Sequence, residues 1–310
     1  MYLTFLYFTI LKGSFKYQMK IFPVDLNHPL VRDKKLQAII RFVKWQIKSR
    51  IFQREFVHGW VSGAKFYVRN GETGLTQNIY VGLHEFNDMC FLLHLLRKND
   101  TFIDVGANSG AYSILAGSII GARTLALEPI PSTYIRLVAN FELNGIEIPS
   151  QAINVGLGAV SGSAYMTSQF DTTNQIILDD NSSHSIKVEI KTLDEVASHK
   201  NPTLIKIDVE GWESEVLRGG FETLRNPSLL AIILELNESG KRYGYLDSEI
   251  LRGLEELGFQ PISYDPFGRA LKQLTGKNPL GGNTIFIRNE LEIVERIENS
   301  PERDILGSWI

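Results

Sequence analysis

Two neighbouring stretches of the chain place carboxylates and glycines where the strands of a parallel sheet would end. In the first, the buried-strand pattern of residues 101–105 runs into Gly106, and Gly110 follows four residues later. Gly106 can adopt a positive φ at little steric cost, and the free N–H groups at the start of the next helix attract a carboxylate or a phosphate. The pattern predicts a strand, a tight turn and a helix, with a ligand close to the backbone.

The second stretch, residues 124–128, is a short apolar strand pattern that ends at Glu128 and Pro129. In a right-handed βαβ unit this strand lies beside the first, so Glu128 faces the glycine turn. A carboxylate about 20 residues beyond such a turn is suited to the two hydroxyls of a ribose. We therefore expect a ligand that contains a nucleoside.

A nicotinamide dinucleotide is the obvious competitor, and its turn carries the pattern G-x-G-x-x-G. Here Asn108 occupies the position of the second glycine, where its side chain would obstruct a pyrophosphate. Asp104 favours the same interpretation, because an acid at the strand end repels phosphates but can bind the ammonium of an amino acid. S-adenosylmethionine has an amino-acid group and a ribose but no phosphate, which makes it the expected cofactor.

A third stretch, residues 203–213, contains the string Lys-Ile-Asp-Val-Glu-Gly, and a lead-in at residues 80–86 contains Glu85. Together with Asp-Val-Gly-Ala-Asn at residues 104–108 and the Glu-Pro pair at 128–129, this set resembles the FkbM family of S-adenosylmethionine-dependent methyltransferases over roughly residues 71–288. The resemblance implies an α/β fold with a Rossmann-like class I methyltransferase sheet. Such a sheet is mostly parallel, ends in an antiparallel hairpin and has helices on both faces.

The strand expected at residues 203–209 ends at Asp208, beside the cofactor strand, where the methyl group and the acceptor should meet. Methyl transfer from a sulfonium is an in-line displacement that needs mainly positioning, with a general base for a hydroxyl acceptor. We predict Asp208 and Glu210 as catalytic residues and Glu235 as a further candidate, although Glu210 and Glu235 could be helix-cap or surface acids. Glu85 is expected to bind the cofactor or the acceptor, with a helix-start acid as the alternative.

Residues 152–158 are expected to supply the third strand and its exit loop, where Val155 and Gly156 should cover the adenine. The predicted cofactor-binding residues are therefore Glu85, Asp104, Gly106, Asn108, Gly110, Glu128, Pro129, Val155 and Gly156.

Residues 164–191 interrupt the alternation of strands and helices. Apolar and charged residues alternate over residues 186–191, which predicts a half-exposed antiparallel excursion. Its polar loops at 171–174 and 179–184 are a candidate rim for a polar acceptor, with a loose linker as the alternative. The remaining sheet strands are predicted at residues 229–236, 259–264 and 284–288, the last two as the end hairpin.

The chain of 310 residues, 44% of them hydrophobic, suits one large α/β domain with extensions. We expect an N-terminal tail over residues 1–26, a helical and hairpin extension over 27–99, the methyltransferase domain over 100–288 and a charged C-terminal tail over 289–310. The apolar start of the tail is too short to span a bilayer and lacks the features of a signal peptide.

The extension should contain a helix from residue 27 to about 54, a hairpin that pairs residues 65–68 with 78–81, and a helix over 84–97. The first helix carries apolar residues at helical spacing: Leu30, Leu36, Ile39, Ile40, Val43, Ile47 and Ile51. Its other face is basic. We expect the helix to pack on the domain or on a neighbouring subunit, with contact to an anionic membrane or an acidic partner as the less favoured alternative.

The net charge of −3 provides no field that would attract nucleic acid. Cys90, the single cysteine, lies in an apolar run and indicates a core thiol in a reducing, cytoplasmic compartment. No metal is expected, because the histidines lack ligand spacing such as H-E-x-x-H, although Asp208 with Glu235 could hold Mg²⁺.

These features favour O-methylation of a hydroxyl on a small polar molecule, either a sugar or a secondary metabolite. The alternatives are a methyltransferase acting on protein or nucleic acid and a non-catalytic cofactor-binding protein. The oligomeric state stays open.

Overall fold

The computed structural model describes residues 24–51, 55–69, 75–147, 150–167, 174–177 and 185–310. Within these ranges the helices are α1 (Lys35–Ile51), α2 (Thr76–Val81), α3 (Phe86–Leu95), α4 (Ala111–Ile114, continued by a π-helical segment, Leu115–Ile120), α5 (Pro131–Leu143), α6 (Leu193–Ala197), α7 (Glu213–Arg218), α8 (Phe221–Arg225), α9 (Asp247–Glu256) and α10 (Glu290–Glu298). Short 3₁₀ turns lie at Val61–Gly63 and Ser239–Tyr243.

The strands in the same ranges are β1 (Phe56–Gly59), β2 (Lys65–Val68), β3 (Thr101–Val105), β4 (Arg123–Leu127), β5 (Gln151–Ile153), β6 (Gly156–Leu157), β7 (Gly162–Thr167), β8 (Ile176–Ile177), β9 (Ser185–Lys191), β10 (Leu204–Ile207), β11 (Ala231–Glu235), β12 (Gln260–Asp265), β13 (Ala270–Gln273), β14 (Asn283–Ile287), β15 (Asp304–Ile305) and β16 (Ser308–Trp309).

The central sheet has the strand order β13-β12-β14-β11-β10-β3-β4-β5. Strands β11, β10, β3, β4 and β5 pair in parallel, whereas β14, β12 and β13 pair antiparallel at one end. This is the Rossmann-like class I methyltransferase sheet predicted from the sequence. The connections from β3 and β10 run to opposite sides of the sheet, so a crevice opens at their carboxyl ends, where ligands bind in folds of this kind.

Alternate residues of the central strands pack on opposite faces of the sheet. Phe102, Leu204 and Ile233 lie in one core with side chains of α3 and α10. Ile103 and Ile205 lie in a second core with side chains of α6, α8 and α9. Helices therefore cover both faces, which accounts for the nearly continuous burial of β3, β10 and β11.

A smaller sheet forms the excursion between β5 and α6. Its order is β6-β9-β7-β8, and β7 pairs antiparallel with both β9 and β8. In β9, Val188 and Ile190 are buried while Lys187 and Glu189 are exposed, which confirms the predicted half-exposed antiparallel strand. Of the predicted acceptor rim, residues 171–173 and 179–184 lie outside the described residues.

The predicted hairpin in the extension is wrong. β2 pairs with β1, upstream in the chain, and the segment expected to pair with it is helix α2. Ile79, Tyr80 and Val81 are β-branched or aromatic and favour a strand by propensity. All three are buried together in the helix, whose end is set by Gly82 at φ 94°. Tertiary packing therefore overrides local preference here.

Helix α1 packs on the domain by a different face from the one expected. Its buried residues are Ala38, Trp45 and Ser49, and the Trp45 ring packs against Phe56 and His58. The five apolar residues on the opposite face are exposed: Leu36, Ile40, Val43, Ile47 and Ile51. The expected packing of the helix on the domain is confirmed, but the aliphatic residues do not make the contact, because two small residues beside one indole allow a closer approach than an aliphatic ridge.

The C-terminal residues join the core of the central sheet. Ile293 and Ile297 of α10, together with Ile305 and Ile310, are buried in the same cluster as the side chains of α3. Cys90 of α3 is fully buried, as expected for a core thiol. In the described part of the chain, none of the helices combines the length and apolarity that a membrane crossing requires.

Candidate active site

The carboxyl ends of β3, β4, β10 and β11 surround a cleft with two adjoining cavities. Gly106, Asn108, Asp208 and Glu210 line both cavities and mark their junction. The apolar cavity, about 650 Å³, is also lined by Leu127, Glu128, Pro129, Ile130, Val155, Gly156, Leu157, Ile190 and Trp212. The polar cavity, about 970 Å³, is also lined by Gln77, Asn78, His84, Glu85, Asp104, Tyr112, Lys206 and Glu235.

The turn after β3 touches the end of β10 through a glycine. Gly106 has φ 80°, and a Cβ atom there would lie 1.9 Å from the backbone oxygen of Asp208. The N–H groups of Gly106 and Ala107 both donate to the carbonyl of Leu127 at 3.0 Å. Glycine is thus required sterically, and the turn holds the ends of β3, β4 and β10 together.

Glu128 shapes this turn from the end of β4. Its Oε2 accepts the N–H of Asn108 at 3.0 Å, and its Oε1 accepts the N–H of Ile130 at 2.9 Å. Burial raises the pKa of Glu128 to about 7, although the two backbone hydrogen bonds act in the opposite direction. Each oxygen keeps acceptor capacity. The same carboxylate can therefore hold the loop and contact a ligand in the apolar cavity.

A buried lysine faces the acid at the junction. The Nζ of Lys206 lies 2.6 Å from Oδ2 of Asp208 and 4.8 Å from the ring centroid of Tyr112. Burial alone would lower the pKa of Lys206, but the Asp208 carboxylate raises it above its ordinary value. Asp104, almost fully buried, accepts the Ser113 hydroxyl at 2.7 Å. Burial raises the pKa of Asp104, and Lys206 opposes that rise.

Three acids converge beside this lysine. Asp208, Glu210 and Glu235 each offer an oxygen, and these atoms lie within 4.8 Å of one another. The Oε2 of Glu235 is buried without a hydrogen-bond partner among the described residues. Burial, and then the neighbouring carboxylates, raise the pKa of Glu235 well above its ordinary value. A proton or a divalent cation could relieve this repulsion.

The polar cavity is bounded on the side of α3 by a second acidic pair. Asn283 donates from Nδ2 to Glu85 at 2.7 Å and to Asp88 at 3.2 Å. Burial, followed by the Glu85 charge, raises the pKa of Asp88 to about 7. This contact ties α3 to β14 and places Glu85 in the cavity wall.

The family model for the methyltransferase FkbM domain matches residues 104–261 of this chain. The chain belongs to this family. Methyltransferase 1 of Beauveria bassiana is 30% identical over 159 residues, which cover 43% of this chain and 64% of the relative. The hexuronic acid methyltransferase AglP of Haloferax volcanii is 29% identical over 168 residues, which cover 51% of this chain and 65% of the relative. The chain thus spans slightly less than two thirds of the length of these relatives.

Among solved structures, TYW2 of M. jannaschii in complex with AdoMet aligns with a TM-score of 0.40 and 14% identity, covering 76% of this chain and 86% of that chain.

The FkbM motifs meet at the cleft, with one exception. Ten of the eleven predicted site residues line a cavity: Glu85, Asp104, Gly106, Asn108, Glu128, Pro129, Val155, Gly156, Asp208 and Glu210. Gly110 does not line either one; a Cβ atom there would lie 2.7 Å from Cδ1 of Leu137. Its position indicates packing of α4 on α5.

Sequence reasoning missed several side chains of the candidate site, among them Lys206, Trp212 and Glu213. Lys206 and Asp208 are two residues apart on one strand, and this spacing places side chains on the same side. A lysine inside a strand that is otherwise apolar, two residues before Asp208, was therefore the feature of the sequence that could have predicted this ion pair. Trp212 lines the apolar cavity, and its Nε1 is a buried donor without a partner among the described residues. Glu213 accepts the N–H groups of Val209 and Gly211 through Oε1, at 3.2 and 3.1 Å.

Proposed function

We propose that this FkbM-family chain transfers a methyl group from S-adenosylmethionine to a hydroxyl oxygen of a small polar acceptor, a sugar or a secondary metabolite. The observation that carries the proposal is the junction of the two cavities. An apolar cavity suited to a nucleoside opens into a polar cavity, and Asp208 lies between them. We place the catalytic domain at residues 100–288.

The chemistry of the apolar cavity fits the adenosine part of the cofactor. Its walls are aliphatic and aromatic, and the Trp212 indole N–H is a donor without a partner among the described residues. Glu128 is an acceptor for ribose hydroxyls at the end of β4. Pro129, Val155 and Gly156 would contact the base, with Gly106 and Asn108 at the junction.

The acids of the polar cavity fit the cationic parts of the cofactor. Asp104 and Glu85 would attract its ammonium, and the acidic junction would favour its sulfonium charge. When bound, the cofactor supplies a methyl group that is open to in-line attack by an acceptor oxygen.

Asp208 would orient the acceptor hydroxyl and take its proton. The Lys206 ammonium, 2.6 Å away, compensates the negative charge of Asp208 within the cleft and fixes the direction of its carboxylate. Glu210 would bound the acceptor on the other side. Most of the rate acceleration would come from holding the reacting atoms in line.

The name of AglP supports a sugar-type acceptor, since that relative is a hexuronic acid methyltransferase. The polar cavity supplies suitable partners for a polyol: amide groups at Gln77 and Asn78, the imidazole of His84 and the carboxylates of the junction. The amides and the imidazole can donate and accept hydrogen bonds, and the carboxylates accept them.

Two measurements test the proposal. Titration calorimetry should detect binding of S-adenosylhomocysteine and none of NAD; the converse result would overturn the cofactor assignment. Incubation of the protein with methyl-labelled S-adenosylmethionine and a metabolite extract should then give a labelled O-methyl ether. Label on nitrogen, on carbon or on macromolecules alone would contradict the acceptor class.

A further inference from the structure

The outward face of α1 is a continuous aliphatic stripe. It consists of Leu36, Ile40, Val43, Ile47 and Ile51, which are between 43% and 70% exposed. Their spacing of three or four residues places them along one line of the helix surface. The opposite face, which contains Trp45, contacts the domain. Helices of globular proteins normally turn such a stripe toward the core, so contiguous exposure indicates an interaction surface.

Basic residues border the stripe on both sides. A rotation of about 100° per residue places Lys35 and Arg50 along one edge and Lys44 and Lys48 along the other. Lys35, Lys44 and Arg50 are exposed, and no Asp or Glu occurs in α1. The stripe therefore combines an aliphatic centre with positively charged edges.

We propose that the stripe of α1 binds the surface of an anionic lipid bilayer, with the helix axis in the plane of the membrane. An apolar stripe between cationic edges matches such a surface, because aliphatic side chains enter the acyl boundary while Lys and Arg reach the phosphates. The positive charge of the two edges thus favours an anionic bilayer as the binding partner. A second copy of the chain is disfavoured, since two basic edges would face each other across the contact.

The contacts of α1 would bring the cleft close to that surface. Arg41 of α1 donates from Nε to the carbonyl of Tyr80 at 3.0 Å, and Gln46 contacts the Tyr80 hydroxyl at 3.3 Å. Tyr80 belongs to α2, and Gln77 and Asn78 of the same helix line the polar cavity. The thickness of α1 itself and of α2 therefore separates the stripe from the wall of the cleft. The membrane proposal is independent of the methyl-transfer proposal.

Vesicle flotation of the full chain tests this assignment. The protein should float with vesicles of phosphatidylcholine and phosphatidylglycerol at low salt, and not with phosphatidylcholine alone. The variant Leu36→Glu/Ile47→Glu should lower the bound fraction by roughly tenfold or more. Lys44→Gln/Arg50→Gln should lower it by roughly tenfold on the anionic vesicles.

The matched control is Leu280→Glu/Leu291→Glu, which makes the same change at two aliphatic residues that are 92% and 86% exposed elsewhere. It should stay bound. Circular dichroism checks folding, and the single variant Leu36→Glu must show the same direction of effect if the double variant unfolds.

Equal binding by stripe and control variants, or no binding to anionic vesicles, would overturn the proposal. A dimer in sedimentation velocity that the stripe variant dissociates, without vesicle binding, would assign the stripe to a second copy. Capture of an acidic protein without vesicle binding would likewise overturn it.

Discussion

Four acids at the candidate site form two pairs that differ in what their oxygens contact. Glu128 and Glu213 each accept two backbone N–H groups. Asp208 instead pairs with the Lys206 ammonium, and Oε2 of Glu235 has no partner among the described residues. The first pair holds loops in place, with Glu128 also lining the apolar cavity, whereas both members of the second pair line the polar cavity.

This difference in hydrogen bonding distinguishes acids that stabilise the fold from acids that are available for chemistry, although all four lie in one cluster. A carboxylate that already accepts backbone hydrogen bonds is fixed in position, and its removal leaves buried donors without acceptors. A carboxylate that faces a lysine and a cavity can exchange partners with a ligand. We therefore expect substitutions in the first pair to affect folding or binding, and a substitution of Asp208 in the second pair to affect the rate.

The largest effect is expected for Asp208→Asn. This change keeps the shape of the side chain and removes its charge, so kcat should fall by roughly 10²- to 10⁴-fold while the affinity for S-adenosylhomocysteine barely changes. Steady-state kinetics and calorimetry on one preparation measure both constants. A parallel loss of affinity would assign Asp208 to cofactor binding.

The control for this variant concerns Lys206. Asp208→Asn leaves that buried ammonium without its carboxylate, which should destabilise the fold by about 1 to 3 kcal/mol. Lys206→Met combined with Asp208→Asn removes the unpaired charge and should recover thermal stability. If the double variant also recovers the rate, the loss in the single variant came from the stranded lysine and not from a missing base.

The next largest effect contrasts Glu128→Ala with Glu213→Ala. Each variant deprives two backbone N–H groups of their acceptor, so both should lose about 1 to 3 kcal/mol of unfolding free energy. Glu128 lines the apolar cavity, and Glu213 lines neither cavity. Only Glu128→Ala should also weaken S-adenosylhomocysteine binding, by about 1.5 to 3 kcal/mol. Equal affinities for the two variants would place the ribose elsewhere.

Much of this site follows from sequence because parallel strands end at one edge of their sheet. Asp104, Glu128 and Asp208 each stand at the end of an apolar run, so their convergence was predictable. Gly106 was predictable as a turn, although its close approach to Asp208 was not, since that distance depends on how two strands pack. Gly110 has the same local signal but serves the contact between α4 and α5.

Side chains whose roles depend on tertiary packing escaped prediction. The amphipathic pattern of α1 correctly indicates a helix, but periodicity does not say which face turns inward. Trp45, with two small neighbours, gives a closer fit than the aliphatic stripe and decides the orientation. The same limit applies to β2: its composition predicts a strand but does not say that β1, rather than residues 78–81, pairs with it.

A smaller effect is expected in the pH dependence of stability. The pKa of Asp88 is about 7 in the folded protein and about 3.8 in the unfolded chain. The folded state therefore binds its proton more tightly, and this contribution to stability is complete below pH 3.8 and is lost as the pH rises through 7. Asp88→Asn cannot titrate, so it does not lose this contribution. Its free energy of unfolding should rise relative to that of the wild type by about 1 to 2 kcal/mol as the pH increases from 3.8 to 7, a figure reduced for residual solvent exposure. Urea unfolding of both proteins across this range measures the difference, and parallel curves would contradict the raised pKa.

The smallest effect, close to none, is expected for removal of divalent cations. Lys206 already compensates Asp208, and the raised pKa of Glu235 favours a proton on that acid, so the three carboxylates need no metal to coexist. A cation bound to Asp208 would lie close to the Lys206 ammonium, which is 2.6 Å from Oδ2 of that residue and would repel it. Dialysis against EDTA should therefore leave kcat within about twofold, and Glu235→Gln, which mimics the protonated acid, should leave it within about threefold. The opposite outcome has three parts: EDTA abolishes the activity, Mg²⁺ restores it, and Glu235→Gln is inactive. That outcome would identify Asp208 and Glu235 as metal ligands, and these acids would then act through a bound cation instead of through a proton.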